Sequence, residues 1–571
     1  NIMSLGGIAI AIGAMVDSAI VMIENAHKQL EAHPDADRRA VILAAAQEVG
    51  PSLFFALLII TVSFLPVFIL QDQEGRLFKP LAYTKTFSMF FAALLSVTLV
   101  PLLMQWLVRG KIYPEHKHPI TRVLIALYAP VVKLCLRWRW GVVALSVLAL
   151  AVTWPVYQGL GSEFMPRLWE GSSMYMPTTL PGVSITEAQR LLQVQNKLLR
   201  TLPEVETVFG KVGRAETATD PAPLSMVETI IHFKPRSQWR AGMTPEKLES
   251  EMNELLTLPG VSNGWTMPIK GRIDMLATGI RTPLDIKVLG PDLKTLETLG
   301  KAIEVQLKAL PQTRSVFADR STGGYYLDLT IRREDAARYG LSVKAIEDTL
   351  ESAIGGSQVT TTVEGRERYS VNVRYARAFR EDPESLGNVL VSTPTGDHIP
   401  LKQVVDIELT MGPPMIKSEA GQLSSTIAVD VVDTDPGHYV EAAEARLQEQ
   451  ITLPPGYSYR WSGQYEAMQR VQSQLQWVLP LTLMLIFILL YFNFRSLAEA
   501  ALIMLSLPFA LVGAVWLVKL LGYNLSVAVW VGMIALAGVA AETGIVMLLY
   551  LDSTYRSWQR AGRLQTRADL F

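Results

Sequence analysis

Seven apolar runs dominate the pattern of this chain, at 1–25, 52–70, 86–108, 141–160, 475–494, 498–518 and 525–551, and a polar stretch over 161–470 separates the first four from the last three. About 20 consecutive apolar residues let a helix cross the ~30 Å hydrocarbon core of a bilayer, so the runs predict seven membrane-spanning helices. Within residues 1–23 only Asn1, Ser4, Asp17 and Ser18 break the apolar series. Asp17 is thereby placed at membrane depth. An aspartate there costs about 2.5–3.5 kcal/mol on insertion scales and is tolerated chiefly where it faces other helices, pairs with a cation or relays protons. A second acid, Glu542, interrupts the last run. A purely structural hydrogen bond between helices is the competing reading for such an acid. Glu24, near the end of the first helix, reads as a capping or snorkelling residue.

The polar stretch repeats itself. LPGVSITEAQRLLQVQNKLLRTLPEVETVFGKVG (180–213) and VLGPDLKTLETLGKAIEVQLKALPQTRSVFADRS (288–321) share one plan. In each, a strand and a Pro/Gly turn lead into an amphipathic helix of about four turns that ends at Leu-Pro and returns to a Val-Phe strand. Alternating runs YYLDLTI (325–331) and YSVNVRY (369–375) flank a helix at 343–354, which reads as an inserted α+β subdomain over 321–413. SSTIAVDVVD (424–433) and YSYRWSGQ (457–464) then resume the earlier sheet. The expected fold is an α-helical membrane bundle of about 7 helices plus an α+β block of ferredoxin-like βαβ type carrying an insertion.

Half of the 571 residues are hydrophobic and 18% are charged, and the two characters are segregated along the chain. A net charge of −1, with no basic tract interleaved with aromatics, excludes a nucleic-acid-binding role. Basic residues gather after the third run (Arg109, Lys111, Lys117, Arg122, Lys133, Arg137, Arg139), in the first loop (Lys28, Arg38, Arg39) and in the tail (Arg556, Arg560, Arg563, Arg567). Cytoplasmic loops carry such an excess, which puts the block 161–470 outside, in the periplasm of a bacterial envelope. The single cysteine, Cys135, falls on the inner side, so no disulfide framework is possible, while eleven of the 20 methionines fall in the outer block. There is no nucleophile-base constellation, HExxH, phosphate-binding glycine loop or cysteine knuckle, which argues against an enzyme. The chain opens inside a helix without a signal peptide and stops soon after its last run, which reads as the middle of a longer protein.

The strings GAMVDSAIVMIENAHK (13–28), EGRLFKPLAYTKT (74–86), YMPTTLPG (175–182), GKVGRAETATDPAPLSMVET (210–229), RIDMLATGI (272–280), VEGRERY (363–369) and ALAGVAAETGIVM (535–547) carry a family resemblance. The chain resembles the heavy-metal branch of the resistance-nodulation-division (RND) efflux pumps over residues 1 to about 551. That resemblance implies a homotrimeric, multi-pass inner-membrane pump that imports protons and hands its ion to a periplasmic adaptor and an outer-membrane channel. No resident cofactor is implied. The chain would correspond to helices 4 to 6 (1–112), an amphipathic helix on the cytoplasmic face (113–138), helix 7 (139–160), a porter subdomain (161–280), a second porter subdomain (281–320 and 414–470), a docking subdomain (321–413), helices 8 to 10 (471–551) and a cytoplasmic tail (552–571).

The resemblance also implies residue roles. Met176, Met226 and Met275 would form a three-sulfur site for monovalent copper or silver, soft d¹⁰ ions that thioethers suit. Taken singly, a methionine is far more often core filler, and Met174, two residues before Met176, reads as packing or an auxiliary ligand. Met15 with Met89, and Met22 with Met104, would make sulfur pairs through the membrane, with Met3 in a further pair whose partner is missing here. Ordinary interhelical packing competes with that reading. Met15 and Met22 share a helical face, while Asp17 is turned about 200° from Met15 at ~100° per residue. Asp17 and Glu542 would carry protons, with the family's lysine on a later helix beyond this chain. Ser18 follows Asp17 where multidrug members and many divalent-metal members carry a second acid, which favours the monovalent-metal branch. Glu170, Asp220, Glu228, Arg272 and Arg281 would line the ion path, with solvated surface charge as the alternative. Divalent-metal export, multidrug export and a non-exporting membrane module remain open at this point.

Overall fold

The computed structural model describes residues 1–109, 119–166, 169–179, 181–217, 220–279, 282, 284–321, 323–432 and 434–562. Five long helices open the chain: α1 (Ile2–Ala32), α2 (Arg38–Ser63), α3 (Asp72–Leu107), α4 (Pro119–Arg137) and α5 (Arg139–Gln158). Asp37 starts α2 by accepting the Arg39 amide, as a short polar side chain does for an otherwise orphaned N–H.

The polar stretch folds into two α/β units of one design. In the first, β1 (Ser172–Tyr175), β2 (Thr178–Thr179), α6 (Ile185–Leu199), β3 (Val205–Val212), β4 (Ala215–Thr217), β5 (Asp220–Ala222), β6 (Val227–Phe233), α7 (Pro245–Leu255), β7 (Val261–Ser262), β8 (Trp265–Thr266) and α8 (Pro268–Thr278) follow in order. Its main sheet runs β3-β6-β1-β8. Its core holds Tyr175, Leu199, Ile231, Leu248 and Trp265. The second unit begins with β9 (Leu284–Gly290), α9 (Leu293–Lys308) and β10 (Thr313–Ala318).

An insertion follows, made of β11 (Gly324–Ile331), α10 (Arg333–Arg338), α11 (Val343–Leu350), β12 (Ser357–Glu364), β13 (Glu367–Val373), α12 (Pro383–Gly387), β14 (Leu390–Ser392), β15 (His398–Pro400) and β16 (Val405–Gly412). β11 pairs with β16 antiparallel, closing the insertion at its root, and it has its own core around Ile346, Val391 and Leu401. The chain then re-enters the second unit through β17 (Lys417–Glu419), β18 (Gln422–Val431), α13 (Pro436–Gln450) and β19 (Ser458–Gly463), whose main sheet runs β10-β18-β9-β19. In both sheets two strands joined by a helix are parallel and the strand between them is antiparallel to both, because each crossover helix must fold back over one face.

Three more long helices, α14 (Gln464–Phe494), α15 (Leu497–Leu520) and α16 (Val527–Arg560), complete the described chain. Among the described residues, eight helices are thus long and apolar enough to cross a membrane. Seven contain the apolar runs of the sequence, and the eighth is α4, whose 19 residues include Arg122, Lys133 and Arg137. α1, α2, α3 and α16 converge. At Gly7 an added methyl would collide with the Thr84 hydroxyl and stand 2.6 Å from the Leu81 carbonyl, and at Gly538 it would collide with the Ser63 hydroxyl. Glycine therefore sets how closely α1 meets α3 and α16 meets α2.

Candidate functional site

The two α/β units are clamped together on one side and leave a cleft on the other. Arg314 of β10 donates to both Asp430 oxygens at 2.8 and 2.9 Å and reaches Glu249 of α7 at 2.6 Å. Ser315 Oγ donates to the Asn263 carbonyl at 2.9 Å. Beside these bonds lies a cavity of about 420 Å³ with Met176, Met226 and Met275 on one wall and Phe317, Asp319 and Met415 on the other.

Each methionine reaches that cavity by a different local device. Met176 follows β1, and its amide donates to the Gly264 carbonyl at 2.8 Å. Tyr175 beside it is fully buried and donates to Asn263 Oδ1 at 2.7 Å, fastening the same loop, and burial pushes its phenol well above the usual range. Met226 closes a turn onto Pro223 just before β6 and bridges to Thr178 of β2. Met275 lies on α8. Met174, Met176 and Met226 are 6%, 3% and 5% exposed and form one buried cluster, with Ala222 and Met275 packed against it. Among the described residues no group of three His, Cys, Asp or Glu gathers as a metal-ligating set.

The charged residues assigned to the ion path are spread around this wall. Glu170 accepts the backbone N–H of Ile269 and Lys270 at 2.7 and 2.8 Å and so caps the first turn of α8, which has no side-chain cap of its own. Glu228, two residues after Met226, pairs with Lys211 across the β3–β6 ladder at 2.7 Å. Arg272 lies on α8 and is exposed. Asp220 opens β5 opposite Thr217, with its side chain outside the described part, and Arg281 lies outside the described residues.

In the helical bundle Met15 and Met89 occupy one apolar cluster and Met22 and Met104 another, while Met3 packs in a third around Phe64 and Phe78. Asp17 is exposed on α1. Its neighbour Ser18 is buried and donates to Oε1 of the buried Glu542 at 3.2 Å. Sequence reasoning missed Lys85 of α3, which is 1% exposed and whose ammonium stands 3.9 Å from the centre of the Phe64 ring. The signal was there in LAYTKTFSMFF, where a lysine sits at the edge of an apolar run and inside the longer helix that contains it.

Comparison with known proteins places the chain in a family. The model of the AcrB/AcrD/AcrF family matches residues 1–561. Cation efflux system protein CusA of Escherichia coli (strain K12) is 49% identical over 561 residues, covering 96% of this chain and 54% of its own length. Putative cation efflux system protein SilA of Salmonella typhimurium is 48% identical, covering 99% and 55%. Cobalt-zinc-cadmium resistance protein CzcA of Cupriavidus metallidurans (strain ATCC 43123 / DSM 2839 / NBRC 102507 / CH34) is 31% identical over 573 residues, covering 97% and 53%. The X-ray crystal structure of a heavy metal efflux pump superposes with a TM-score of 0.81 at 30% identity, over 96% of this chain and 54% of that one. The chain spans about half the length of these relatives.

Proposed function

This chain belongs to the AcrB/AcrD/AcrF family of RND efflux transporters, a multi-pass membrane protein and not an enzyme, and from that premise we propose that it exports Cu(I) or Ag(I) in exchange for protons. The observation that carries the reading is the gathering of Met176, Met226 and Met275 at one cavity wall. Thioether sulfur is a soft donor suited to monovalent d¹⁰ ions and a poor one for zinc, cobalt or nickel. A methionine needs no deprotonation to bind, so ligation of the metal itself releases no proton. The cavity lies between two α/β units, and rocking one against the other about the Arg314 clamp opens and closes it.

The two units are read as porter subdomains of ferredoxin-like type and the insertion as the docking subdomain. The hairpin of β12 and β13 leaves Val359, Val363 and Tyr369 exposed at 66%, 62% and 50%, which supports use of this surface against other chains. Its partners are a homotrimer, a periplasmic adaptor and an outer-membrane channel. In the bundle, Glu542 and Asp17 carry the protons, and the two methionine pairs give the ion a sulfur-lined route. Ser18 holds Glu542 in place from the helix that also carries Asp17.

Ag(I) and Zn(II) binding to the full-length pump in detergent tests this. Met→Leu conserves volume closely enough to cost less than about 1.5 kcal/mol, so a Met176→Leu, Met226→Leu, Met275→Leu variant removes sulfur and keeps the packing. The expected result is tight Ag(I) binding that disappears in the triple variant. Survival of Ag(I) binding, or a preference for zinc, overturns the assignment.

A further inference from the structure

Lys85 is the buried charge that the methionine site and the two acids leave unused. It stands in α3 with 1% of its surface exposed, and among the described residues its Nζ has no hydrogen-bond acceptor. Its ammonium stands 3.9 Å from the centre of the Phe64 ring, at the end of α2. A cation over an aromatic face gains about 2 kcal/mol when desolvated, far less than the several kcal/mol that taking an ammonium out of water costs. Such a group stays charged only where an anion offsets that cost.

The surrounding elements leave a short choice. α2 and the turn after it bring the hydroxyls of Thr61 and Ser63, both bonded to their own helix, and the Phe64 ring. α3 itself carries Asp72, Glu74, Arg76 and Lys79 in the turns before Lys85, and Asp72 and Glu74 lie on Arg470 of α14 at 3.1 and 3.4 Å. α1 offers Asp17, which is exposed, and α16 offers the buried Glu542; α3 and α16 meet beside Phe64 in one apolar cluster through Leu81, Ala82, Val531 and Ile534. Two glycines hold the relevant helices close, Gly7 for α1 on α3 and Gly538 for α16 on α2.

We propose that Lys85 is the resident counter-cation of the Glu542 carboxylate, a positioning residue that keeps this acid charged until the transported proton arrives. The inference rests on the reading of Glu542 as a proton carrier. The step is a simple protonation: the carboxylate takes one proton to become a carboxylic acid, and Lys85 keeps its own. The buried pair then passes from neutral to a net positive charge, with the Phe64 face alone against the ammonium. That state is the less favourable one, so protonation favours a shift of α16 relative to α3 that gives the ammonium another environment.

The test is metal-driven proton flux in liposomes containing the full-length pump, measured against pH for Lys85→Met, Lys85→Arg and Glu542→Gln. Lys85→Met should move the midpoint of the profile to higher pH by about one unit, because an anion without its counter-cation takes a proton more readily, while Lys85→Arg keeps the wild-type midpoint. Ag(I) binding at the periplasmic methionines should be unchanged in both. A wild-type midpoint in Lys85→Met overturns the proposal. Full flux in Glu542→Gln overturns instead the underlying reading of Glu542. Should Lys85→Met lose flux altogether, melting temperatures decide: the Lys85→Met, Glu542→Gln double variant should melt above Glu542→Gln alone, which strands a buried ammonium. Additive melting shifts would sink the pairing.

Discussion

Glu170 holds in place the helix that carries Met275. Its carboxylate accepts the amides of Ile269 and Lys270 at 2.7 and 2.8 Å, and Met275 follows on the same short helix before it ends at Gly279. An acid at this end also meets the positive pole of the helix dipole. Glu170 thus acts on the methionine wall through the backbone, whatever charge it also offers an ion. Glu170→Ala should cost about 1 kcal/mol, the usual worth of an N-cap, and weaken Ag(I) binding through a misplaced Met275. Glu170→Gln keeps one acceptor oxygen and should fall between the two. Thermal melting and Ag(I) titration of the same variants check this. Equal loss of Ag(I) affinity in both variants, with only Glu170→Ala destabilised, would instead assign the effect to charge.

Where the first unit's approach from the membrane meets α13, stability should depend on pH. Asp435 is held below the usual carboxylate range: its burial works against this, but the Ser162 amide, the His438 ring and the His438 amide all bond to it and prevail. His438 is raised above the ordinary imidazole range, first by its hydrogen bond to Asp435 and then by that charge. A raised histidine contributes stability that is complete below its unfolded value, near 6.5, and is lost as pH rises through its folded value. A depressed aspartate contributes stability that is present above about 3.9 and is lost as pH falls through its folded value. The junction is therefore firmest between about pH 4 and 6.5. In melting curves, the gap between the natural protein and His438→Gln should narrow from pH 5.5 to pH 8.5, and a gap that stays constant would contradict the pairing.

Seven of the eight long helices were legible because a bilayer imposes a simple demand, about 20 apolar residues in a row, that a sequence displays openly. α4 stands apart: the family resemblance makes its stretch an amphipathic helix on the cytoplasmic face, and Arg122, Lys133 and Arg137 interrupt its apolar series. The family was legible from long strings such as GAMVDSAIVMIENAHK, which pack an acid and two methionines into one apolar helix. Lys85 was hidden for a physical reason. The apolar run begins one residue later, at Thr86, and only the fold shows that α3 starts at Asp72 and buries Lys85 against Phe64. The capping by Glu170 was equally invisible, since the bond spans about a hundred residues of chain and no local pattern such as a capping box announces it.

The pair Gly6 and Gly7 turns the closeness of α1 and α3 into an experiment. The two positions are adjacent in one helix and share propensity, so Gly→Ala should give both the same helix-forming gain of about 1 kcal/mol. They differ in what the new methyl meets. At Gly6 it finds Leu81 Cδ1 at 3.9 Å, ordinary contact with a flexible side chain. At Gly7 it meets the Thr84 hydroxyl and stands 2.6 Å from the Leu81 carbonyl, and a backbone atom inside a helix has nowhere to go. Overpacking of this kind costs about 1–3 kcal/mol, which exceeds the propensity gain. Gly6→Ala should therefore melt at or above the natural protein and Gly7→Ala below it. The displacement matters for coupling as well, because α1 carries Ser18 against Glu542 and α3 carries Lys85. Gly7→Ala should thus lower metal-driven proton flux while Ag(I) binding in the periplasmic cleft stays unchanged, and Gly6→Ala should leave both as they were. If the two variants behave alike in melting and in flux, the close approach of α1 to α3 does not set the geometry of the buried charges.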